Sequence, residues 1–269
     1  MNVWLMIAVG WFVMALVMAG LWAIQRRTDN AGIVDIGWTF GVGALAIFFC
    51  VATLEGDPAR RTMIAVLAGL WSLRLGGHLV LRVSREPEDG RYRDLKSRWG
   101  EHAQGKMFWF FQFQAIGCAL FALPMLAAAQ VTEPLGVYDY LGVVIWLVAL
   151  GGEAVADRQL ARFRADPSNR GKVCQVGWWR YSRHPNYFFE WLHWWSYVFL
   201  AIAHPWGWLT IAAPLAMLYL FVFVTGIPPT EAQSIRSRGD AYRAYQATTS
   251  PFFPWPPRRL PPSPLKEAS

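Results

Sequence analysis

Charged residues and cysteines are scarce in this sequence of 269 residues. Only 16% of the residues are Asp, Glu, Lys or Arg, whereas an ordinary soluble domain has about 25%. The three cysteines, Cys50, Cys118 and Cys174, cannot all pair, and two of them lie inside apolar runs. The low charge argues against a water-soluble domain, and the cysteines exclude a secreted disulfide scaffold.

Hydrophobic residues make up 55% of the chain, enough for about seven bilayer-spanning helices of roughly 20 residues each. The 16 Trp, 9 Tyr and 17 Phe are typical of membrane proteins, in which aromatic residues collect at the interface with water. Continuous apolar runs favour helices over a barrel. The predicted spans cover residues 3–24, 32–54, 62–83, 107–130, 138–160, 186–204 and 207–227. We therefore expect an all-α integral membrane protein with a single domain over 1–257 and a Pro-rich mobile tail over 258–269.

Basic residues concentrate in alternate loops between these predicted spans. The loops after spans three and five each carry six Lys or Arg residues over 85–106 and 162–183, whereas the opposite loops carry few. Because basic loops stay in the cytoplasm, the N-terminus is predicted outside and the C-terminus in the cytoplasm. The net charge of +7 is then explained by basic loops that fix the topology and attract anionic lipid head groups, rather than by nucleic-acid binding. A compact chain with no targeting peptide suits a bacterial inner membrane.

Several ionisable side chains fall inside the predicted spans, where each costs at least ~2.5 kcal/mol at the bilayer centre. They follow helical spacing, mostly toward the predicted cytoplasmic ends, so those within one span share a face. The residues are Asp35 in span two, Arg74 and His78 in span three, Glu153 and Asp157 in span five, and Glu190 in span six, where the polar but uncharged Asn186 lies one turn before it. They predict a polar cavity open to the cytoplasm. The alternative is that these groups pair across helices and only fix their packing.

The densest polar motif is the segment Gly177–Tyr187 before span six. Pro185 suits the first turn of a helix, and a helix N-terminus flanked by Arg183 and His184 can bind an anion. An amphipathic entry segment with interfacial Trp is the alternative. Metal binding is not expected, because no second His or Cys sits at ligand spacing on the same helix. Gly37 and Gly41 predict close helix packing rather than a dinucleotide-binding turn.

Four segments of the chain together resemble the steroid 5α-reductase family. They are the run Ser182–Tyr187 with Glu190, the stretch from Asp157 to Arg164, the pair Asp35 and Trp38, and the 239–252 segment. The likeness is greatest to the bacterial members of the family, whose substrates are unassigned. It extends over about residues 31–257 of this chain. It implies a seven-helix fold that holds NADPH and transfers hydride to the C=C bond of a lipophilic, steroid-like α,β-unsaturated ketone.

The resemblance also implies roles for individual residues. Cofactor contacts fall on Arg74, Arg91, Tyr92, Arg93, Glu153, Asp157, Arg164, Lys172, Tyr181, Arg183, His184, Asn186 and Glu190. The family polarises the ketone oxygen with a Glu–Tyr pair, for which this sequence offers Asp35 and Trp71 as catalytic candidates. Because indole cannot exchange a proton as phenol does, three options stay open. Asp35 acts alone, another Tyr substitutes, or the substrate differs.

Two other functions remain open on the sequence. The Arg183–Pro185 run and the Tyr242–Tyr245 tail also resemble isoprenylcysteine and phospholipid methyltransferases, in which Glu190 or Glu231 could face the cationic S-adenosylmethionine. A scaffold or transporter is the third possibility, although the nearly uncharged outer side argues against passage through the membrane. The expected partners are a lipophilic substrate and membrane lipids, with no nucleic acid, and the oligomeric state is undetermined.

Overall fold

The structure, a computed structural model, describes residues 1–258. Within this range every regular element is a helix, and Ser182 and Ser250 form one isolated β-bridge. The prediction of an all-α chain is therefore confirmed. The predicted mobile tail over 258–269 lies, apart from its first residue, outside the described residues.

Ten α-helices make up most of residues 1–258. They are α1 Val3–Thr28, α2 Ile33–Ala52, α3 Pro58–Arg85, α4 Gly90–Trp99, α5 Ala103–Ala129, α6 Val137–Ala165, α7 Pro185–Leu200, α8 Ala212–Tyr219, α9 Ile227–Arg238 and α10 Asp240–Thr248. Short 3₁₀ turns cover Gly100–His102, Pro167–Asn169, Gly177–Arg180 and Gly207–Ile211, and a π-helical turn covers Leu220–Val224. The ends of α3 and α6 extend beyond the predicted apolar runs. Basic residues in their last turns suit the negative end of the helix dipole.

Six stretches within residues 1–258 are long and apolar enough to cross a membrane. They are Val3–Thr28, Ile33–Ala52, Pro58–Arg85, Gly90–Ala129, Val137–Ala165 and Gly207–Arg238. By length and composition the chain is thus an integral membrane protein. α7 is not among the six: its 16 residues rise only about 24 Å, less than the ~30 Å hydrocarbon core.

The chain divides into two compact units, each built from two stretches of sequence. Unit 1 comprises residues 1–146 and 194–215, and unit 2 comprises residues 147–193 and the chain from 216 onward. The three divisions fall inside α6, α7 and α8.

In unit 1, α2 packs against α1, α3 and α5. Gly37 and Gly41 lie at the contact between α1 and α2. A Cβ at Gly37 would lie 2.3 Å from the end of the Leu21 side chain and one at Gly41 would lie 2.4 Å from the end of Met14, so either change would require these side chains to move. The predicted packing role of Gly37 and Gly41 is confirmed. α1 leaves large apolar side chains such as Trp4 and Phe12 exposed, as expected of a surface that faces lipid.

In unit 2, the chain after α10 folds back along the segment before α7. The Arg183 N–H donates to the Ser250 carbonyl at 2.9 Å, and the Trp255 N–H donates to the Tyr181 carbonyl at 2.9 Å. The Ser182 hydroxyl donates to the Phe252 carbonyl at 2.7 Å. The proline-rich segment up to residue 258 is thus non-helical, as the sequence predicts, and it is pinned by backbone hydrogen bonds.

Candidate functional site

A phenol and a carboxylate meet in unit 1, where the first turn of α2 lies beside the start of α4. The Tyr92 hydroxyl donates to Asp35 Oδ1 at 2.6 Å. The Arg91 Nη2 lies 3.3 Å from Asp35 Oδ2. Tyr92 is 4% exposed, whereas the side chains of Asp35 and Arg91 are 27% and 26% exposed. The phenol is therefore buried, whereas the carboxylate and the guanidinium are partly open to solvent.

The start of α4 is fixed by acidic residues that precede it. Asp89 caps the helix by accepting from the Arg91 N–H at 3.0 Å, and it also pairs with the guanidinium groups of Arg91 and Arg82. Burial raises the pKa of Asp89, but Arg91 and Arg82 outweigh it and hold the pKa below its usual value. The ionised Asp89 thus orients Arg91, which in turn contacts Asp35. The sequence analysis did not identify Asp89 as a site residue. Its position directly before the Gly90–Arg91–Tyr92 run is typical of a helix N-cap and could have indicated it.

A second acidic residue, Glu88, ties α4 to the chain before α2. Its carboxylate accepts from the Ala31 N–H at 2.8 Å, and Lys96 lies 2.8 Å from it. The exposed Arg93 donates to the Glu88 carbonyl at 2.8 Å. Several basic side chains of the 82–96 stretch are therefore matched by acidic groups of the same stretch, including Arg91, a predicted cofactor contact.

Trp71, the other predicted catalytic residue, lies in an aromatic cluster of unit 1. Its ring is fully buried and meets Trp38 edge-on at 6.3 Å and Trp194 at 5.7 Å between centroids. Arg74 follows one turn later on α3 and is half-buried. Trp38 is the residue three after Asp35 in the second-span signature, so that signature joins a polar residue to the aromatic cluster.

In unit 2, Glu231 on α9 gathers two of the predicted cofactor residues. Its Oε1 accepts from Arg183 Nε at 2.6 Å and lies 3.2 Å from His184 Nε2. Its Oε2 accepts from Gln246 at 2.6 Å. Arg183 also donates to the carbonyls of Gln246 and Thr249. Arg183 and His184 therefore anchor α9 and the end of α10 to the entry of α7.

Burial controls the charge of His184 at this anchor. The side chain is 3% exposed, and burial lowers its pKa although the bond to Glu231 acts in the opposite direction. The imidazole is therefore neutral near pH 7. The positive charge that balances Glu231 comes from Arg183.

The remaining predicted site residues of unit 2 divide by exposure. Glu153 and Glu190 are buried on α6 and α7, at 4% and 6% exposure, and Asp157 and Asn186 are half-buried. Arg164, Lys172 and Tyr181 are exposed.

A basic surface segment connects α6 to α7 within unit 2. Between residues 162 and 183 it carries six basic residues and one acidic residue, Asp166. Asp166 is exposed and accepts from the Ser168 N–H at 2.9 Å. Such a cationic, acid-poor segment suits phosphate groups. Among residues 1–258, no group of three or more His, Cys, Asp or Glu could hold a metal ion.

Both the polar pair of unit 1 and the anchor of unit 2 lie within a region shared with other proteins. A family model described as a protein of unknown function (DUF1295) matches residues 21–249. An uncharacterized protein of Schizosaccharomyces pombe is 30% identical over 271 residues, which cover 87% of this chain and 75% of that protein. No solved structure matches the chain.

Proposed function

This chain belongs to the DUF1295 family, and we propose that it is a membrane-embedded, NADPH-dependent reductase of lipophilic enones. The hydride would reach the C=C bond of an α,β-unsaturated, steroid-like ketone. The observation that carries the proposal is the 2.6 Å hydrogen bond between Tyr92 and Asp35. It supplies the tyrosine–carboxylate pair that the resemblance to steroid 5α-reductases requires.

Tyr92 has one hydroxyl hydrogen, which it donates to Asp35 in this structure. Asp35 would orient the phenol, and on substrate binding the hydroxyl would turn this hydrogen from Asp35 to the ketone oxygen. Arg91, 3.3 Å from the carboxylate, would then balance the charge of Asp35. A donor fixed in a partly dry site stabilises the negative charge that develops on the oxygen during reduction. Tyr92 therefore takes the catalytic role for which the sequence offers Trp71, whose ring is fully buried among Trp38 and Trp194.

The residues of the basic segment fit the phosphate groups of NADPH. The exposed Arg164 and Lys172 would hold phosphates, with no Rossmann turn among residues 1–258. When bound, the cofactor would supply the hydride. Arg183 is less suited to a phosphate, because its guanidinium already bonds to Glu231 and two carbonyls.

We further propose that α7 is a seventh span. The mainly apolar turns after it, residues 201–206, would complete the crossing. The N-terminus would lie outside and the C-terminus in the cytoplasm, according to the distribution of Lys and Arg. The bilayer would be a bacterial inner membrane, with the cofactor site on its cytoplasmic side.

The test measures enone-dependent NADPH oxidation by the detergent-purified full chain. Tyr92→Phe removes only the hydroxyl, so kcat should fall about 10²–10⁴-fold with NADPH affinity unchanged. Asp35→Asn should also slow reduction with cofactor binding intact. The matched control is Tyr140→Phe, which alters an exposed tyrosine on α6 and should leave kcat unchanged.

Cofactor binding has its own test. Arg164→Ala should weaken NADPH binding roughly tenfold, the value of one charge-assisted hydrogen bond, whereas the exposed Arg162→Ala should have less effect. Wild-type protein that binds no NADPH would remove the reductase proposal. Retained S-adenosylmethionine would favour the methyltransferase, although Glu231, one of its two candidate carboxylates, already accepts bonds from Arg183 and Gln246.

A further inference from the structure

Unit 1 contains a cavity of about 720 Å³ at the end where α1 begins and α2 and α5 end. Its volume lies in the range of small-molecule sites, roughly 300–1,000 Å³. Its polar lining residues are Asn2 before α1, Thr53 and the exposed Glu55 after α2, Gln130, Thr132 and the exposed Glu133 after α5, and His204 after α7. None of these residues belongs to the proposed reductase site.

The wall of this cavity is held by short, buried contacts. The Asp57 N–H donates to the Val131 carbonyl at 2.9 Å, and a Cβ at Gly56 would lie 1.8 Å from the Ala129 carbonyl oxygen. The buried Arg60 donates to the Glu133 carbonyl at 2.6 Å. The backbone that carries Glu55 and Glu133 is therefore fixed before any ligand arrives, which lowers the cost of binding.

The lining offers hydrogen-bond acceptors and negative charge. Thr53 is 5% exposed, and its buried hydroxyl oxygen has no hydrogen-bond partner, although buried polar atoms are nearly always satisfied. Glu55 and Glu133 add two carboxylates. Apart from the amino group of Met1, no basic side chain other than His204 lines the cavity. Burial lowers the pKa of His204, so that imidazole is neutral near pH 7.

The surroundings of the cavity are those of a membrane interface. Trp4, Leu54 and Trp206 are 76%, 78% and 62% exposed, and each belongs to a segment that contributes to the lining or adjoins it. Exposed tryptophans near the ends of apolar helices settle at the level of lipid head groups. A ligand with a polar head and apolar chains would place its head in the cavity and its chains beside these side chains.

We propose that this cavity binds a primary ammonium group, as found on the head group of an aminophospholipid such as phosphatidylethanolamine. An ammonium group has three N–H donors, which match the Thr53 hydroxyl and the carboxylates of Glu55 and Glu133. A trimethylammonium group has the same charge but no N–H donor, so it cannot bond to Thr53. A free amine carries the same chemistry and is the other possible source.

The test is a lipid titration of the detergent-purified full chain, followed by native mass spectrometry without NADPH. Short-chain phosphatidylethanolamine should bind about tenfold more tightly than phosphatidylcholine, as expected for a charge-assisted hydrogen bond. The double variant Glu55→Gln/Glu133→Gln and the isosteric Thr53→Val should each reduce this preference. Glu101→Gln, an exposed change outside the cavity lining, is the control and should preserve it.

Competition with ethanolamine distinguishes the two sources. Displacement of the lipid by millimolar ethanolamine would identify a site for the ammonium group itself, including free amines, whereas persistence of the lipid would identify the aminophospholipid. Both results support the ammonium site. Equal binding of the two lipids, or an unchanged preference in the double variant, would overturn it. Because no NADPH is used, failure of the reductase proposal leaves this result unaffected.

Discussion

Replacing Asp139 by asparagine removes the charge that balances a buried guanidinium in unit 1. Arg60 donates to both carboxylate oxygens of Asp139, from Nε at 2.8 Å and from Nη2 at 2.7 Å. The side chains of Arg60 and Asp139 are only 3% and 5% exposed. Breaking such a pair from one side leaves an uncompensated buried charge, which costs about 3–5 kcal/mol. We expect Asp139→Asn to lower the free energy of unfolding by that amount.

A second ion pair of the same unit provides the matched control. Lys96 Nζ lies 2.7 Å from Asp29 Oδ1, as close as the buried pair, but Asp29 is 85% exposed. Exposed pairs contribute less than about 1 kcal/mol, so Asp29→Asn should change stability little. The two pairs have the same distance but differ in burial. They also differ in what remains after substitution, because Lys96 keeps Glu88 at 2.8 Å.

The assay is denaturant unfolding in detergent micelles, followed by tryptophan fluorescence, at low and high salt. Added salt should diminish the effect of Asp29→Asn and leave that of Asp139→Asn nearly unchanged, because buried charges are poorly screened. The double variant Arg60→Met/Asp139→Leu should recover part of the stability lost in Asp139→Asn. Recovery should be incomplete, because Arg60 also donates to the Glu133 carbonyl and Asp139 also accepts from the Gly136 N–H. A cost below 1 kcal/mol for Asp139→Asn, equal to that of the exposed control, would refute this account.

Two further predictions concern unit 2. Gly177 has φ +57°, and a Cβ there would lie 2.1 Å from the Gln159 side chain, so Gly177→Ala should destabilise the protein by about 1–3 kcal/mol from backbone strain and more from the clash. Gly171→Ala, at φ +78° with open space around it, should show only the loss of stability that comes from backbone strain. Both variants are measured by the same denaturant unfolding assay. Burial lowers the pKa of His184 below its ordinary value of 6.5. The unfolded chain therefore binds the proton more tightly, and the stability that His184 contributes is complete above pH 6.5 and lost as the pH falls through the folded pKa. His184→Gln should flatten the pH profile of unfolding between pH 5 and 7, unlike the exposed His102→Gln, and an unchanged profile would contradict the assignment.

The helices could be predicted because the apolar composition of the sequence implies a lipid bilayer around them. In a bilayer the backbone must satisfy its own hydrogen bonds, so each long apolar run predicts a helix of nearly the same length. The run 32–54 becomes Ile33–Ala52, and the run 107–130 becomes Ala103–Ala129. The run 207–227 instead divides into a 3₁₀ turn, α8 and a π-helical turn. Apolar composition alone does not distinguish these helix types.

The partners of the charged groups were less predictable. Arg91 and Arg93 are predicted cofactor contacts in the 82–96 stretch. Sequence alone did not predict that Arg91 also bonds to Asp89 and Asp35, or that the neighbouring Lys96 bonds to Glu88 and Asp29. A count of Lys and Arg predicts on which side of the membrane a loop lies. It does not give the rotation of the helices that carry the acidic partners.

By itself the sequence determined that this is an all-helical membrane chain, and it identified Asp35 and Tyr92 as separate site candidates. Only the tertiary structure joined the Tyr92 hydroxyl to Asp35, across 57 positions of sequence, and brought Arg183 to Glu231, across 48. The physical reason is the distance along the chain over which each interaction acts. Burial and backbone hydrogen bonding act within one apolar segment, so they can be inferred from its composition. A hydrogen bond between helices depends on how each helix is rotated and capped, which is decided by packing contacts from the rest of its unit.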